Sequence, residues 1–266
     1  MMMKKLSVVM LSTVLAGSML LFGCGGNGQT GGQSGEVDNA EGGVLVMSTN
    51  AQFPPYEYYE GDQIVGIDAE IAAALAEKLG MTLQIDDMDF DPAITAAQTG
   101  QSDFVMAGLT VTEERQENLN FTESYATGIQ VVIVPEDSDI TSIEDMTGKL
   151  IGVQQGTTGD IYCSDTPENG GFGEDAVVKY ASGPLAVEAL KNGQVDCVVI
   201  DNEPARAFVE ANEGLKILET EYAVEDYAIG VAKDNTELLD QLNTALAELK
   251  ADGTVQSIID KYINAE

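Results

Sequence analysis

From Val44 onward, strand-like and helix-like segments alternate, and this alternation limits the chain to an α/β protein built from crossover units. Val44 to Met47 reads as a first strand. Ile67, Ile71, Leu75 and Leu79 recur at every fourth position ahead of Gly80, which predicts an amphipathic helix with a glycine stop. Thr82 to Ile85 reads as a strand, Asp91 to Thr99 as a helix and Asp103 to Met106 as a strand leading to a short helix that carries Arg115. A second series starts at Gln130 to Val134. It continues through a strand at Leu150 to Val153, a helix after Thr158, a strand at Ala176 to Tyr180, a helix at Pro184 to Asn192 and a strand at Val195 to Ile200. Tyr227 to Val231 reads as one more strand. Two helices marked by Leu238, Leu242, Leu246 and Leu249, then by Val255, Ile258, Ile259 and Tyr262, close the chain. The two series do not repeat in sequence, so they predict two lobes.

The N-terminus carries different information. Lys4 and Lys5 precede a nearly uncharged stretch from Leu6 to Phe22, too short for a comfortable membrane span and ending in Leu21-Phe22-Gly23-Cys24. This resembles a bacterial lipoprotein signal, which implies cleavage before Cys24 and lipidation of Cys24. The segment from Gly25 to Gly43 is rich in Gly, Gln, Ser and Asn and has no aromatic residue, so it cannot bury a core and reads as a tether. The expected division is a signal at 1–23, a lipidated cysteine and linker at 24–43, and a folded part from 44 to 266.

Charge excludes whole classes of function. The chain has 12 basic and 45 acidic residues, a formal charge of −33, and no histidine. Such a field excludes nucleic acid as a partner. Without histidine or a cysteine cluster there is no transition-metal site to expect, and the usual general base of a nucleophilic enzyme is missing. No cofactor is implied. Besides Cys24 the cysteines are Cys163 and Cys197; an extracytoplasmic location permits a disulfide, and Cys197 equally suits a buried strand position.

Against this background Arg115 stands out as one of two arginines in the chain. Thr112 offers an N-cap and Glu113 and Glu114 suit a first helical turn, so Arg115 projects from a strand-to-helix junction. Its planar fork matches a carboxylate, either that of a ligand or that of Glu113, Glu114 or Glu117 beside it. Four further segments occupy strand ends. Asn50 to Glu57 holds Phe53, placed either to stack on a ligand or to plug against Tyr56 and Tyr58. Phe90 opens a helix with Pro92 and suits either a site wall or the core. Gln154-Gln155-Gly156-Thr157-Thr158 turns into a helix, and Asp201 ends a buried strand as either a ligand or a helix cap.

Taken together, FPPYEY, GIDAEIAAALAEKLG, MDF, AGLTVTEERQENLNFTESY, GKLIGVQQGTT, GQVDCVVID, EDYAIGVAKDNTELLDQLNTAL and ADGTVQSIIDKY are ordered along residues 44 to 263. As a set they resemble the polar amino acid family of bacterial extracytoplasmic substrate-binding proteins, which serve ATP-driven importers. The resemblance implies the two-lobed type II periplasmic-binding-protein fold with the ligand cleft between lobes. The chain would cross over near Tyr125 to Gln130 and return near Ala223 to Tyr227, so that lobe 1 is 44–126 with 228–266 and lobe 2 is 127–227.

The same resemblance implies site residues. Arg115 would pair with the ligand's α-carboxylate, assisted by Thr110 and the backbone amide of Thr158. Asp201 and the carbonyl of Gly108 would take the α-ammonium, and Phe53 and Phe90 would sandwich the side chain. Asn50 stands where several relatives have aspartate, and Gln154 where a glutamine-binding relative has lysine. The matched positions supply no further basic group for a dicarboxylic ligand, so a neutral polar or cationic L-amino acid is expected. Implied partners are a membrane permease with its ATPase and the membrane through the lipid anchor, with the protein itself a monomer. A sensor module that presents its ligand to a receptor, and a dehydratase-like enzyme on the same fold, are the alternative functions.

Overall fold

The computed structural model describes residues 42–218 and 221–263, which fall within one compact unit, Asn39–Glu266. The expected signal, Cys24 and most of the tether lie outside the described residues. Along the chain the elements are β1 (Val44–Thr49), β2 (Gln52–Phe53), β3 (Glu57–Glu60), β4 (Gln63–Val65), α1 (Ile67–Lys78), β5 (Thr82–Asp87), α2 (Phe90–Gln98), β6 (Phe104–Val105), α3 (Glu113–Asn118) and β7 (Leu119–Phe121). They continue with β8 (Ala126–Pro135), β9 (Ile151–Gln154), α4 (Thr158–Ser164), β10 (Val177–Tyr180), α5 (Gly183–Lys191), β11 (Cys197–Asp201), α6 (Asn202–Ala211) and β12 (Leu215–Ile217). The last elements are β13 (Ala223–Tyr227), β14 (Gly230–Ala232), α7 (Thr236–Ala251) and α8 (Thr254–Tyr262).

Two main sheets result. The first has the order β5-β1-β6-β14-β7, with β1 parallel to both β5 and β6 and β14 antiparallel to its neighbours. The second has the order β10-β9-β11-β8-β12, and β13 also pairs with β8. Helices cover both faces. On the first sheet Ile67, Ile71 and Leu75 of α1 pack with Leu242, Leu246 and Leu249 of α7, while Phe90, Ala93 and Ala97 of α2 fill a separate cluster with Val105 and Leu119. On the second sheet the period of two is plain. Val131, Ile133, Val198 and Ile200 join one cluster, and Val132, Val134, Cys197 and Val199 join the other.

Two strands, β8 of ten residues and β13 of five, link the sheets. β8 runs antiparallel to β13 from Ala126↔Tyr227 to Gln130↔Ala223, and both lie where the chain passes between the two sheets. The run Tyr227 to Val231 is therefore not one strand. Tyr227 ends β13 in the second sheet, and Gly230 begins β14 in the first, with Ala228 and Ile229 buried between them. An unbroken apolar run hides this change of partner. The hairpin strands β2, β3 and β4, which form a small antiparallel sheet after β1, are a second feature that periodicity did not indicate.

Candidate functional site

The carboxyl ends of strands in both sheets converge on one narrow cleft. Asn50, Phe53, Phe90, Gly108, Thr110, Arg115, Thr158 and Asp201 all line it, together with Glu57, Ala107, Gln154 and Thr157. Open α/β sheets place ligands at such strand ends. The local chain explains the placement. Thr112 caps α3 by accepting a bond from the Arg115 amide at 3.1 Å, and this six-residue helix aims Arg115 inward. Gly108 has a φ of +52° and lies so close to Phe53 that a Cβ would sit 2.6 Å from its ring, so the backbone and the aromatic wall meet there only without a side chain.

Arg115 is buried, which removes the surface pairing with Glu113, Glu114 or Glu117. Nη1 donates to the Thr110 carbonyl at 2.7 Å, Nη2 donates to the Gly156 carbonyl at 3.1 Å, and the guanidinium lies 5.4 Å from the Phe90 ring centroid. These contacts fix the fork and leave three of its five donors for a guest. Burial lowers its pKa, with Glu225 and Asp91 acting in the opposite direction. The bond to Gly156 joins the two halves of the cleft. So do Gln154 Nε2 donating to Asn50 Oδ1 at 3.0 Å and Gln155 Nε2 donating to Asp91 at 3.3 Å.

Asp201 occupies the N-cap position of α6 without making a side-chain cap bond. It turns instead to the site, where Oδ2 accepts from Gln130 Nε2 at 2.8 Å and Oδ1 from the Tyr227 hydroxyl. Burial pushes its carboxyl up to about 7, Glu225 adds to the shift, and the Tyr227 and Gln130 bonds oppose it. Asp68, on α1, accepts from the Gly108 amide at 2.9 Å and is itself raised to about 6 by burial.

The hydroxyls of Thr110 and Thr158 do not point to Arg115. Both donate to Glu225 Oε2, at 3.0 and 2.9 Å, and what Thr110 gives Arg115 is its carbonyl. Asn50 and Gln154 are likewise committed: Asn50 Nδ2 donates to the Met88 carbonyl at 2.9 Å, and Gln154 Oε1 accepts from the Gly183 amide at 3.1 Å.

Four functional neighbours escaped the sequence reasoning: Glu57, Gln130, Glu225 and Tyr227. Glu57 is buried on the cavity wall with neither carboxyl oxygen in a hydrogen bond of normal geometry. Burial, and then the adjacent Asp68, hold its pKa well above the ordinary carboxylate range. Cys163 and Cys197 are both free and buried in one core cluster, so the disulfide permitted by location is not formed. No group of ligating residues suited to a metal occurs among the described residues, and none of the described helices is long and apolar enough to cross a membrane.

Comparison with known proteins gives a consistent set of likenesses. The family model described as bacterial extracellular solute-binding proteins, family 3, matches residues 45–265. The arginine-binding extracellular protein ArtP of Bacillus subtilis is 31% identical, with 99% of this chain and 100% of that protein covered. Among solved structures, an ancestral arginine-binding protein bound to glutamine is similar at TM-score 0.77 and 39% identity, covering 84% of this chain and 98% of that one. An amino acid ABC transporter substrate-binding protein from Streptococcus pneumoniae, bound to L-arginine, is similar at TM-score 0.75 and 30% identity over 82% of this chain and 94% of that one.

Proposed function

The chain belongs to the bacterial extracellular solute-binding proteins of family 3, and on that premise we propose that it captures a cationic L-amino acid for an ABC importer. A zwitterion enclosed in a low-dielectric cleft needs one fixed cation, one fixed anion and walls that exclude water. In this reading Arg115 takes the α-carboxylate, Asp201 and the Gly108 carbonyl take the α-ammonium, and Phe53 and Phe90 flank the side chain. Thr110 serves through its hydroxyl oxygen, Thr158 through its backbone amide, and Asn50 closes the wall with Gln154.

The observation that carries the cationic preference is Glu57, a buried carboxyl on the cavity wall that has Asp68 beside it and no N–H donor on either oxygen. Asn50 and Gln154 are already engaged with each other, with Met88 and with Gly183, so a neutral side chain finds fewer open groups there. A side chain ending in several N–H donors would complete Glu57. Names among the relatives agree, since proteins described as arginine-binding match over most of their lengths.

Capture works by closure of two lobes, 44–126 with 228–266 and 127–227, about the β8 and β13 strands. A ligand favours the closed state by the contacts it adds there. Lobe 1 docks the amino acid through Arg115 and Phe90, and lobe 2 brings Thr158 and Asp201 over it. The protein acts as a monomer, performs no chemistry on its ligand, and is held outside the cytoplasm by lipid on Cys24. The loaded form hands its cargo to a permease with its ATPase.

A soluble fragment beginning near Glu41 tests the reading by thermal unfolding against all twenty L-amino acids, because a ligand that binds only the folded state raises its melting temperature. L-arginine or L-lysine is expected to give the largest shift. No shift with any of the twenty refutes amino acid capture, and a larger shift with a neutral residue refutes the cationic preference. Mass spectrometry of the protein from membranes, with Cys24→Ser as the comparison, tests the anchor.

A further inference from the structure

Glu225 lies just behind the cavity, on the crossover strand β13, buried to 5% exposure. One of its oxygens, Oε2, accepts three bonds: from Thr110 Oγ1 at 3.0 Å, Thr158 Oγ1 at 2.9 Å and Gln130 Nε2 at 3.2 Å. Thr110 belongs to the segment following β6 of the first sheet, and Thr158 begins α4 beside the second. A single carboxylate oxygen therefore joins the two halves of the site.

The consequence is one of proton direction. A threonine hydroxyl has one proton to give and two lone pairs to offer. With both protons committed to Glu225, Thr110 and Thr158 have only acceptor capacity left for the cavity they line. The Gln130 amide is committed in the same way, donating to Asp201 Oδ2 at 2.8 Å, to Glu225, and to Thr158 Oγ1 at 3.3 Å, which leaves Thr158 one free lone pair and Thr110 two. We propose that Glu225 is a positioning residue that holds the Thr110 and Thr158 hydroxyls as acceptors, so that this end of the cavity receives an ammonium group and rejects a carboxylate.

This orients the amino acid. The α-carboxylate is left to Arg115 and to backbone amides, and the α-ammonium meets Asp201, the Gly108 carbonyl and the Thr110 oxygen together. In Glu225→Gln the new amide donates where the carboxylate accepted, and at least one threonine must turn its proton into the cavity. The inference rests on the amino acid reading of the site.

The test is a calorimetric cycle with L-arginine on wild type, Glu225→Gln, Thr110→Val and the double variant, with Glu225→Gln repeated on Thr110→Ser. Glu225→Gln is expected to weaken binding roughly tenfold or more, the size of a charged hydrogen bond. On Thr110→Val the same change is expected to cost much less, because the hydroxyl it acts through is gone. On Thr110→Ser, which keeps the hydroxyl, the sensitivity persists. Wild-type affinity in Glu225→Gln, or an equal cost in all three backgrounds, overturns the proposal while leaving amino acid capture intact; a wild type that binds none of the twenty L-amino acids overturns both. If Glu225→Gln does not fold, Thr110→Ser must still bind L-arginine about tenfold more tightly than Thr110→Val, and equal affinities overturn the proposal.

Discussion

Gly128→Ala places one methyl group where two structural roles meet. Gly128 lies on β8 beneath the ring of Tyr227, and a Cβ there would lie 2.3 Å from both Cζ and the hydroxyl oxygen and 2.5 Å from Cε1. Ordinary carbon contacts begin near ~3.5 Å, so the ring would have to retreat by about 1.2 Å. It has nowhere to go: Tyr227 is fully buried and meets Tyr56 edge-on at a centroid distance of 5.2 Å. The φ of Gly128 is not in the left-handed region, so the backbone tolerates alanine and the whole effect comes from the clash. Overpacking costs about 1–3 kcal/mol, and loss of the Tyr227 bond to Asp201 adds about 1–3 kcal/mol.

The expected loss of about 2–6 kcal/mol appears as a lower urea midpoint at unchanged slope, or a fall in melting temperature of roughly 2–4 °C per kcal/mol. Affinity for L-arginine falls with it, since Asp201 loses the group that holds it. Tyr227→Phe separates the two contributions by removing the hydroxyl and keeping the ring. In a Tyr227→Ala background, Gly128→Ala adds less than about 1 kcal/mol because the ring it strikes is absent. A Gly128→Ala protein within about 0.5 kcal/mol of wild type shows that the ring moves freely, and the reasoning fails.

Other outcomes follow from the site chemistry. Because burial raises the Asp201 carboxyl to about 7 and a cation requires it ionised, affinity for L-arginine rises with pH up to about 7 and then levels. Calorimetry in two buffers of different ionisation enthalpy measures the proton released, and an equal release from Asp201→Asn excludes this group. The same raised values, with Asp68 at about 6, reverse the usual sign for stability: their contribution is complete below about pH 4 and is lost as pH rises through 6 to 7 in the ligand-free protein. Urea midpoints across that range test it, and a contribution that grows with pH contradicts it. Arg115→Ala abolishes the ligand-induced thermal shift while the ligand-free protein still melts cooperatively; retained binding returns the arginine to a structural role. The Cys163 and Cys197 thiols, pushed up to about 12 by burial, stay unlabelled by a thiol reagent at pH 8 until the protein unfolds.

The periodic parts of this chain were legible in its sequence because each has one buried face of known repeat. α1 showed its spacing of four, and the strands of the second sheet showed continuous apolar runs. Eight of the twelve lining residues were legible for a different reason: they sit at or just past strand ends, where a strand signal stops and a turn or helix begins. Glu57 opens β3, Glu225 lies within β13 and Tyr227 closes it, all as members of short strands. On β13 the exposed positions include Val224 at 63%, while Glu225 and Tyr227 face inward. This reverses the usual pattern of apolar inside and polar outside, so hydropathy gives no signal. Alternation in Glu57-Tyr58-Tyr59-Glu60 is equally uninformative, because aromatic and acidic residues occur on both faces. What marks such positions is the partner they find in three dimensions, and the sequence does not print partners.

The charge of the whole chain and the charge of the site are separate problems, and the second explains the ligand. A net −33 is spread over a surface where water screens it. Around the cavity, by contrast, one buried guanidinium, Arg115, stands with four buried carboxyls, Glu57, Asp68, Asp201 and Glu225. Full ionisation of all four would leave three uncompensated negative charges in a dry interior, which burial forbids. Protons resolve this, as the raised values of Asp68, Asp201 and Glu57 indicate. A neutral amino acid brings one positive and one negative charge and leaves the imbalance in place. A cationic amino acid brings two positive charges and one negative, so it can replace a proton that these carboxyls must otherwise hold. Selectivity for arginine or lysine over glutamine should therefore widen as pH rises and those protons become harder to keep. A glutamine-to-arginine affinity ratio that is flat from pH 6 to pH 8 would separate ligand choice from the buried carboxyls altogether.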